Sequence, residues 1–137
     1  YFEPTVLDGV SPDAPVMREE IFGPIFPVLT FKDIDEVISF VTSREKPLAL
    51  YYFGSRGDYV LRHTSSGGAC INDTIMHIAN ENIPFGGVGN SGLGSYHHKR
   101  SFDAFTHYRA VVTTPTWLDL PFRYMPYKFF KAVKRLL

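Results

Sequence analysis

Between Asp33 and Ser43 the apolar residues fall at Ile34, Val37, Ile38 and Val41, the i, i+3, i+4, i+7 spacing that lays one stripe along a helix. Asp33 stands where an N-cap belongs and Glu36 follows three residues later, so the pattern predicts a helix running to about Ser43. After Pro47 the period changes. Leu48 to Phe53 are apolar on both parities, as expected of a strand covered on both faces. Asp58 is placed to cap a short helix through Leu61 and His63, with Gly67 and Gly68 as its stop, and Ala69-Cys70-Ile71 then reads as a second buried strand. Strand, helix, strand at this spacing predicts an α/β fold.

Elsewhere the pattern is more broken. Tyr1 to Leu7 is strand-like, and a chain that opens inside a strand reads as a piece of a longer one. Turn formers fill Asp8 to Pro15, and Gly23-Pro24 forces a bend before the short apolar run Ile25 to Leu29, which Pro27 confines to a sheet edge. From Gly86 to Gly94 five of nine residues are glycine, at 86, 87, 89, 92 and 94. Such a stretch needs special backbone angles or close approach of other atoms. A helix is expected from Ser95 to Phe105 and a β-rich run from Tyr108 to Thr114, stopped by Pro115. In the tail, Phe129, Phe130, Val133, Leu136 and Leu137 share one helical face, while Lys128, Lys131, Lys134 and Arg135 are basic.

Composition narrows the function classes. The 137 residues carry 14 basic and 14 acidic side chains, so no electrostatic footprint for nucleic acid exists. A single cysteine forms no internal disulfide, which fits a reducing compartment. No apolar run approaches the roughly 20 residues of a membrane span. A soluble, cytoplasmic protein is expected.

The candidate chemistry is sparse. Cys70 lies in a predicted buried strand, where a thiol behaves as a small core hydrophobe more readily than as a nucleophile. The histidines at 63, 77, 97, 98 and 107 show no metal-ligand spacing, and adjacent His97 and His98 point apart, so no metal site is expected. Gly87-Val-Gly89-Asn-Ser-Gly92 matches GxGxxG formally. It lacks the preceding buried strand and the acidic residue about 20 positions on, so it reads as coincidence. In Glu19-Glu20-Ile21-Phe22-Gly23-Pro24, a carboxylate able to accept from neighbouring sugar hydroxyls stands two residues before an aromatic ring able to lie against a flat one. Two glutamates before a turn are equally consistent with simple solvation.

Five blocks, taken together, resemble the C-terminal part of an aldehyde dehydrogenase of the class 3, fatty-aldehyde branch. They are Glu-Glu-Ile-Phe-Gly-Pro at 19–24, Arg-Glu-Lys-Pro-Leu-Ala-Leu at 44–50, Ser-Ser-Gly-Gly at 65–68, Ile-Asn-Asp-Thr-Ile-Met-His at 71–77, and Pro-Phe-Gly-Gly-Val-Gly-Asn-Ser-Gly-Leu-Gly-Ser-Tyr-His at 84–97. The resemblance implies an α/β catalytic-domain portion over 1–107, with a mostly parallel sheet and helices, an oligomerisation strand at 108–115, and a tail at 116–137 with a short amphipathic helix. It further implies oxidation of aldehydes to carboxylic acids with NAD or NADP. In that family a cysteine thiolate attacks the carbonyl, hydride passes to the nicotinamide, and a glutamate-activated water hydrolyses the thioester.

Both of those residues lie upstream of the stretch seen here, so this chain alone is expected to be inactive. Cys70 matches a strand position and not the nucleophile. By the same resemblance Glu20 holds the nicotinamide-ribose hydroxyls and Phe22 packs beside the nicotinamide. Ile75, Ile78, Phe85 and His97 line the aldehyde tunnel, an apolar setting for medium or long aliphatic or aromatic aldehydes; ordinary core packing is the competing reading for those four. Tyr108 to Thr114 implies a homodimer. The tail departs from relatives that end in a membrane-anchoring hydrophobic helix; its basic amphipathic stretch is expected to dock onto the protein body, with attachment to an anionic membrane surface as the alternative. The alternative from another class is a non-catalytic remnant that binds a partner through the 108–114 strand.

Overall fold

A computed structural model of the chain describes residues 1–127 and 129–135. It divides into two units, Tyr1–Thr106 and His107–Leu137.

The first unit begins with two short parallel strands, β1 (Thr5–Leu7) and β2 (Ile25–Pro27), with Thr5 opposite Ile25 and Leu7 opposite Pro27. The Thr5 amide donates to Pro24 O and the Val28 amide to Leu7 O, both at 2.8 Å. Even-numbered residues of β2 therefore face β1. Pro27 has the other parity, so its missing N–H costs the ladder nothing.

Helix α1 (Ile34–Thr42) forms where the apolar stripe places it. The Asp33 carboxylate accepts from the amides of Asp35 and Glu36 at 3.0 Å each, satisfying two of the donors a helix start leaves unpaired. Glu36 reaches back to accept from the Lys32 amide at 2.9 Å, one residue earlier than a capping box would have it. The stripe residues Ile34, Val37, Ile38 and Val41 line one cavity of about 140 Å³ with Leu50, Tyr52 and Val60.

Strands β3 (Ala49–Tyr52) and β4 (Gly68–Ile71) pair in parallel, Ala49 opposite Gly68 and Tyr52 opposite Ile71, with α2 (Gly57–His63) between them in sequence. The strand-helix-strand expectation is thus met, with three differences. Asp58 sits inside the first turn of α2, and Arg56 occupies the cap position without a side-chain bond. The helix ends at His63, before the two glycines; the Thr64 hydroxyl donates to Val60 O at 2.8 Å. Gly57 is the first residue of the helix, and a Cβ there would come within 2.7 Å of the Ile71 side chain. Thirdly, β3 is not covered on both faces: Tyr51 and Phe53 are exposed, and among the described apolar residues only Ile34, Val60, Cys70 and Phe85 are buried. Across the helix pair, the Tyr59 hydroxyl donates to Asp35 Oδ1 at 2.7 Å, joining α2 to α1.

After β4 a one-turn helix, α3 (Met76–Ala79), leads into the glycine-rich loop. The helix expected from Ser95 begins only at Lys99, as α4 (Lys99–Ala104). Two causes delay it. Tyr96 is held in an antiparallel bridge to Phe85, and His97 and His98 have φ of 101° and 39°, outside the right-handed helical region.

In the second unit, no strand is formed over 107–115 among the described residues. A β-rich sequence needs a hydrogen-bonded neighbour to become a strand, and none is supplied there as a ladder by this chain. The tail contributes one turn of helix, α5 (Phe130–Val133), shorter than its apolar face suggests. Of that face, Phe129 and Phe130 are exposed, while Leu136, Leu137 and the basic Lys128 lie outside the described residues. Among the described residues no helix is long and apolar enough to cross a membrane.

Candidate active-site surface

The glycine-rich loop is packed backbone against backbone. A Cβ on Gly86 would strike Gly94 O, one on Gly87 would strike Ser91 O, and one on Gly67 would strike Gly86 O while coming within 2.6 Å of Leu48 O. The start of β4 and both arms of the loop are therefore locked together where no side chain fits. Within the loop, the Ser91 hydroxyl donates to Val88 O at 3.0 Å and accepts from the Val88 amide at 2.9 Å, closing a tight turn over Gly89–Ser91.

This turn delivers Asn90 and Ser91 to the edge of a cleft of about 380 Å³ shared with Glu20, Glu45, Lys46, Pro47 and Leu48. Glu20 is exposed there and makes no hydrogen bond or ion pair among the described residues, so its carboxylate is open to hydroxyl donors. Two residues on, Phe22 is 94% exposed, its ring offered to a planar partner. A carboxylate and an uncovered aromatic ring fit the ribose and nicotinamide ends of a dinucleotide. A separate apolar cleft of about 340 Å³, lined by Leu29, Phe31, Val37 and Phe40 among others, contains none of the predicted site residues.

At the loop's other end the backbones of Phe85 and Tyr96 exchange two hydrogen bonds, 3.2 and 2.9 Å. Their rings meet edge to face with centroids 5.5 Å apart, and His97 lies 6.2 Å from Phe85 at 27° between planes. The His97 ring nitrogen Nδ1 is 2.9 Å from Ile83 O, so its orientation is fixed from the far side. Phe85 and His97, both predicted for the tunnel, are thus brought together. Ile75 and Ile78 are instead exposed on and beside α3, and Ile75 has φ 65°, a costly angle for a β-branched residue.

Sequence reasoning placed Cys70 in the core but missed its partner. His77 is 7% exposed, and its Nδ1 lies 3.4 Å from Cys70 Sγ. A histidine seven positions after a cysteine has no recognisable spacing signal; only the fold of α3 back onto β4 pairs them. Among the described residues no three His, Cys, Asp or Glu side chains converge as a metal site would require.

Residues 1–111 match the family model for the aldehyde dehydrogenase family. The chain belongs to that family. It is 49% identical to the 4,4'-diaponeurosporen-aldehyde dehydrogenase of Staphylococcus aureus, over 98% of this chain and 30% of that protein. The dimeric NADP-preferring aldehyde dehydrogenase of Mus musculus is 53% identical over 82% of this chain and 25% of its own length, and the family 3 member comG of Dictyostelium discoideum 48% identical over 95% and 29%. The class 3 resemblance is borne out by these relatives. Among solved structures, substrate-bound AldH of Staphylococcus aureus superposes with a TM-score of 0.88 at 48% identity, covering 99% of this chain and 31% of that one. The chain therefore spans about a quarter to a third of the length of these relatives.

Proposed function

We propose that the complete protein carrying this chain oxidises aldehydes to carboxylic acids with NAD or NADP, and that this chain contributes cofactor positioning and part of the aldehyde-binding wall. The observation that carries the reading is the glycine-rich loop: one end borders the Glu20 cleft through Asn90 and Ser91, and the other holds the Phe85–His97 stack. Bound dinucleotide would supply the hydride acceptor. Glu20 would accept from the ribose hydroxyls and Phe22 would lie beside the nicotinamide, fixing geometry in a step where small misplacement costs rate.

Phe85 and His97 would form one side of the pocket, with Ile75 and Ile78 adding apolar surface for the substrate tail. Cys70, buried in β4 against His77, lacks the access a nucleophile needs, so the attacking thiolate comes from elsewhere in the protein. The chain on its own would then be inactive. The 108–114 segment would become a strand on pairing with a second copy, giving a homodimer; its exposed Val111 and Val112 suit such an edge.

The test is aldehyde-dependent reduction of NAD or NADP by the complete protein, over a series from acetaldehyde to long-chain aldehydes. Turnover that favours the longer chains is expected. No turnover with any member of the series would leave the non-catalytic, partner-binding reading in its place.

A further inference from the structure

We propose that His77 is the positioning residue that holds the aldehyde-binding wall in shape, and so sets chain-length selectivity; this rests on the aldehyde-oxidising reading above. His77 is the buried residue of α3, and it stands between Ile75 and Ile78 in the same turn, where the Ile78 amide donates to Ile75 O at 2.8 Å. Its ring meets Tyr51 of β3 edge to face, centroids 5.6 Å apart, and lies 5.5 Å from Phe85. Phe85 in turn carries Tyr96 and His97. One imidazole therefore anchors all four candidate wall residues: Ile75 and Ile78 through its own helical turn, Phe85 directly, and His97 through Phe85.

The site is shaped for this ring. At Gly68 of β4 a Cβ would sit 2.5 Å from His77 Cδ2 and 3.1 Å from Nε2, so any side chain there would expel the imidazole. Its Nε2 is buried with no hydrogen-bond partner among the described residues, a cost that phenylalanine or leucine would avoid. What bears on the wall is the ring itself, set between Tyr51 and Phe85, with its Nδ1 lying 3.4 Å from Cys70 Sγ.

The experiment compares His77→Asn, His77→Phe and Gly68→Ala in the complete protein, measuring kcat and KM for decanal and acetaldehyde and KM for the dinucleotide. Asn keeps a hydrogen-bonding group but loses the ring; Phe keeps the ring. Expected is a fall of about tenfold in the decanal-to-acetaldehyde ratio of kcat/KM for His77→Asn, carried by the KM for decanal. Most of the ratio should return in His77→Phe, and dinucleotide KM should stay near that of the parent. An equal loss for both aldehydes, an unchanged ratio, or His77→Phe no better than His77→Asn would overturn the assignment while leaving the aldehyde-oxidising reading intact. A parent without activity on any aldehyde would overturn both. Should His77→Asn fail to fold, Gly68→Ala displaces the ring with the imidazole retained: a lowered ratio supports the assignment and a parental ratio overturns it.

Discussion

Asn72 and Gly54 exchange two hydrogen bonds through one side-chain amide: Asn72 Oδ1 accepts from the Gly54 amide at 2.7 Å, and Nδ2 donates to Gly54 O at 3.3 Å. The side chain thereby extends the β3–β4 pairing past the ends of both strands, at φ 57°, a left-handed angle that asparagine tolerates better than most residues. Replacing Asn72 with alanine removes both bonds and raises the backbone cost, for an expected loss of about 1–2 kcal/mol. Asn72→Gly keeps the angle without the bonds and should lose less. Denaturant unfolding of the two variants beside the parent separates the contributions; equal stability of all three would show the amide bridge to be idle.

The Tyr59–Asp35 bond makes a prediction in pH. The hydrogen bond to the Asp35 carboxylate holds the Tyr59 hydroxyl above its ordinary value near 10, with desolvation and the carboxylate charge acting in the same direction. Because the folded value is raised, the α1–α2 tie is complete below the ordinary tyrosine range and is lost as pH rises through the raised value. A phenolate absorbance titration, taken as the difference between parent and Tyr59→Phe, should place Tyr59 late. Asp35→Asn should bring it back toward 10.

At Gly67 the structure leaves no room for a methyl group, because the carbonyls of Gly86 and Leu48 close over it. Backbone cannot move aside as a flexible side chain can, so Gly67→Ala should cost at least about 1–3 kcal/mol. The thermal midpoint and soluble yield report this directly. Since the clash is with the loop that borders the Glu20 cleft, dinucleotide binding should weaken with it.

Glu20 has a kinetic signature. Glu20→Gln in the complete protein should slow hydride transfer more than it weakens cofactor binding, because a neutral amide still accepts from hydroxyls but aligns the ribose less strictly. Single-turnover kinetics isolate the step, and an unchanged hydride rate would remove Glu20 from the role.

Local chemistry carried much of the fold. Asp33 and the Ile34–Val41 stripe fixed α1, because capping and helical periodicity are properties of neighbouring residues. The apolar runs of β3 and β4 were legible for the same reason, as was the need for glycine between Gly86 and Gly94. The blocks at 19–24 and 84–97 pointed to the family, and the relatives agree.

Other features depended on partners distant in sequence. The late start of α4 follows from the bridge of Tyr96 to Phe85, which no helical propensity reveals. The 108–114 run has strand composition yet forms no strand in this chain, since a ladder requires a second backbone. By itself the sequence determined the cap and stripe of α1, the places of β3 and β4, the obligatory glycines and the family, each encoded in short stretches of neighbouring residues. Only the tertiary structure decided that His77 turns inward onto Cys70 and Phe85 while Ile75 and Ile78 stay exposed, because that depends on where α3 lands on β4 and on the space a missing side chain at Gly68 leaves.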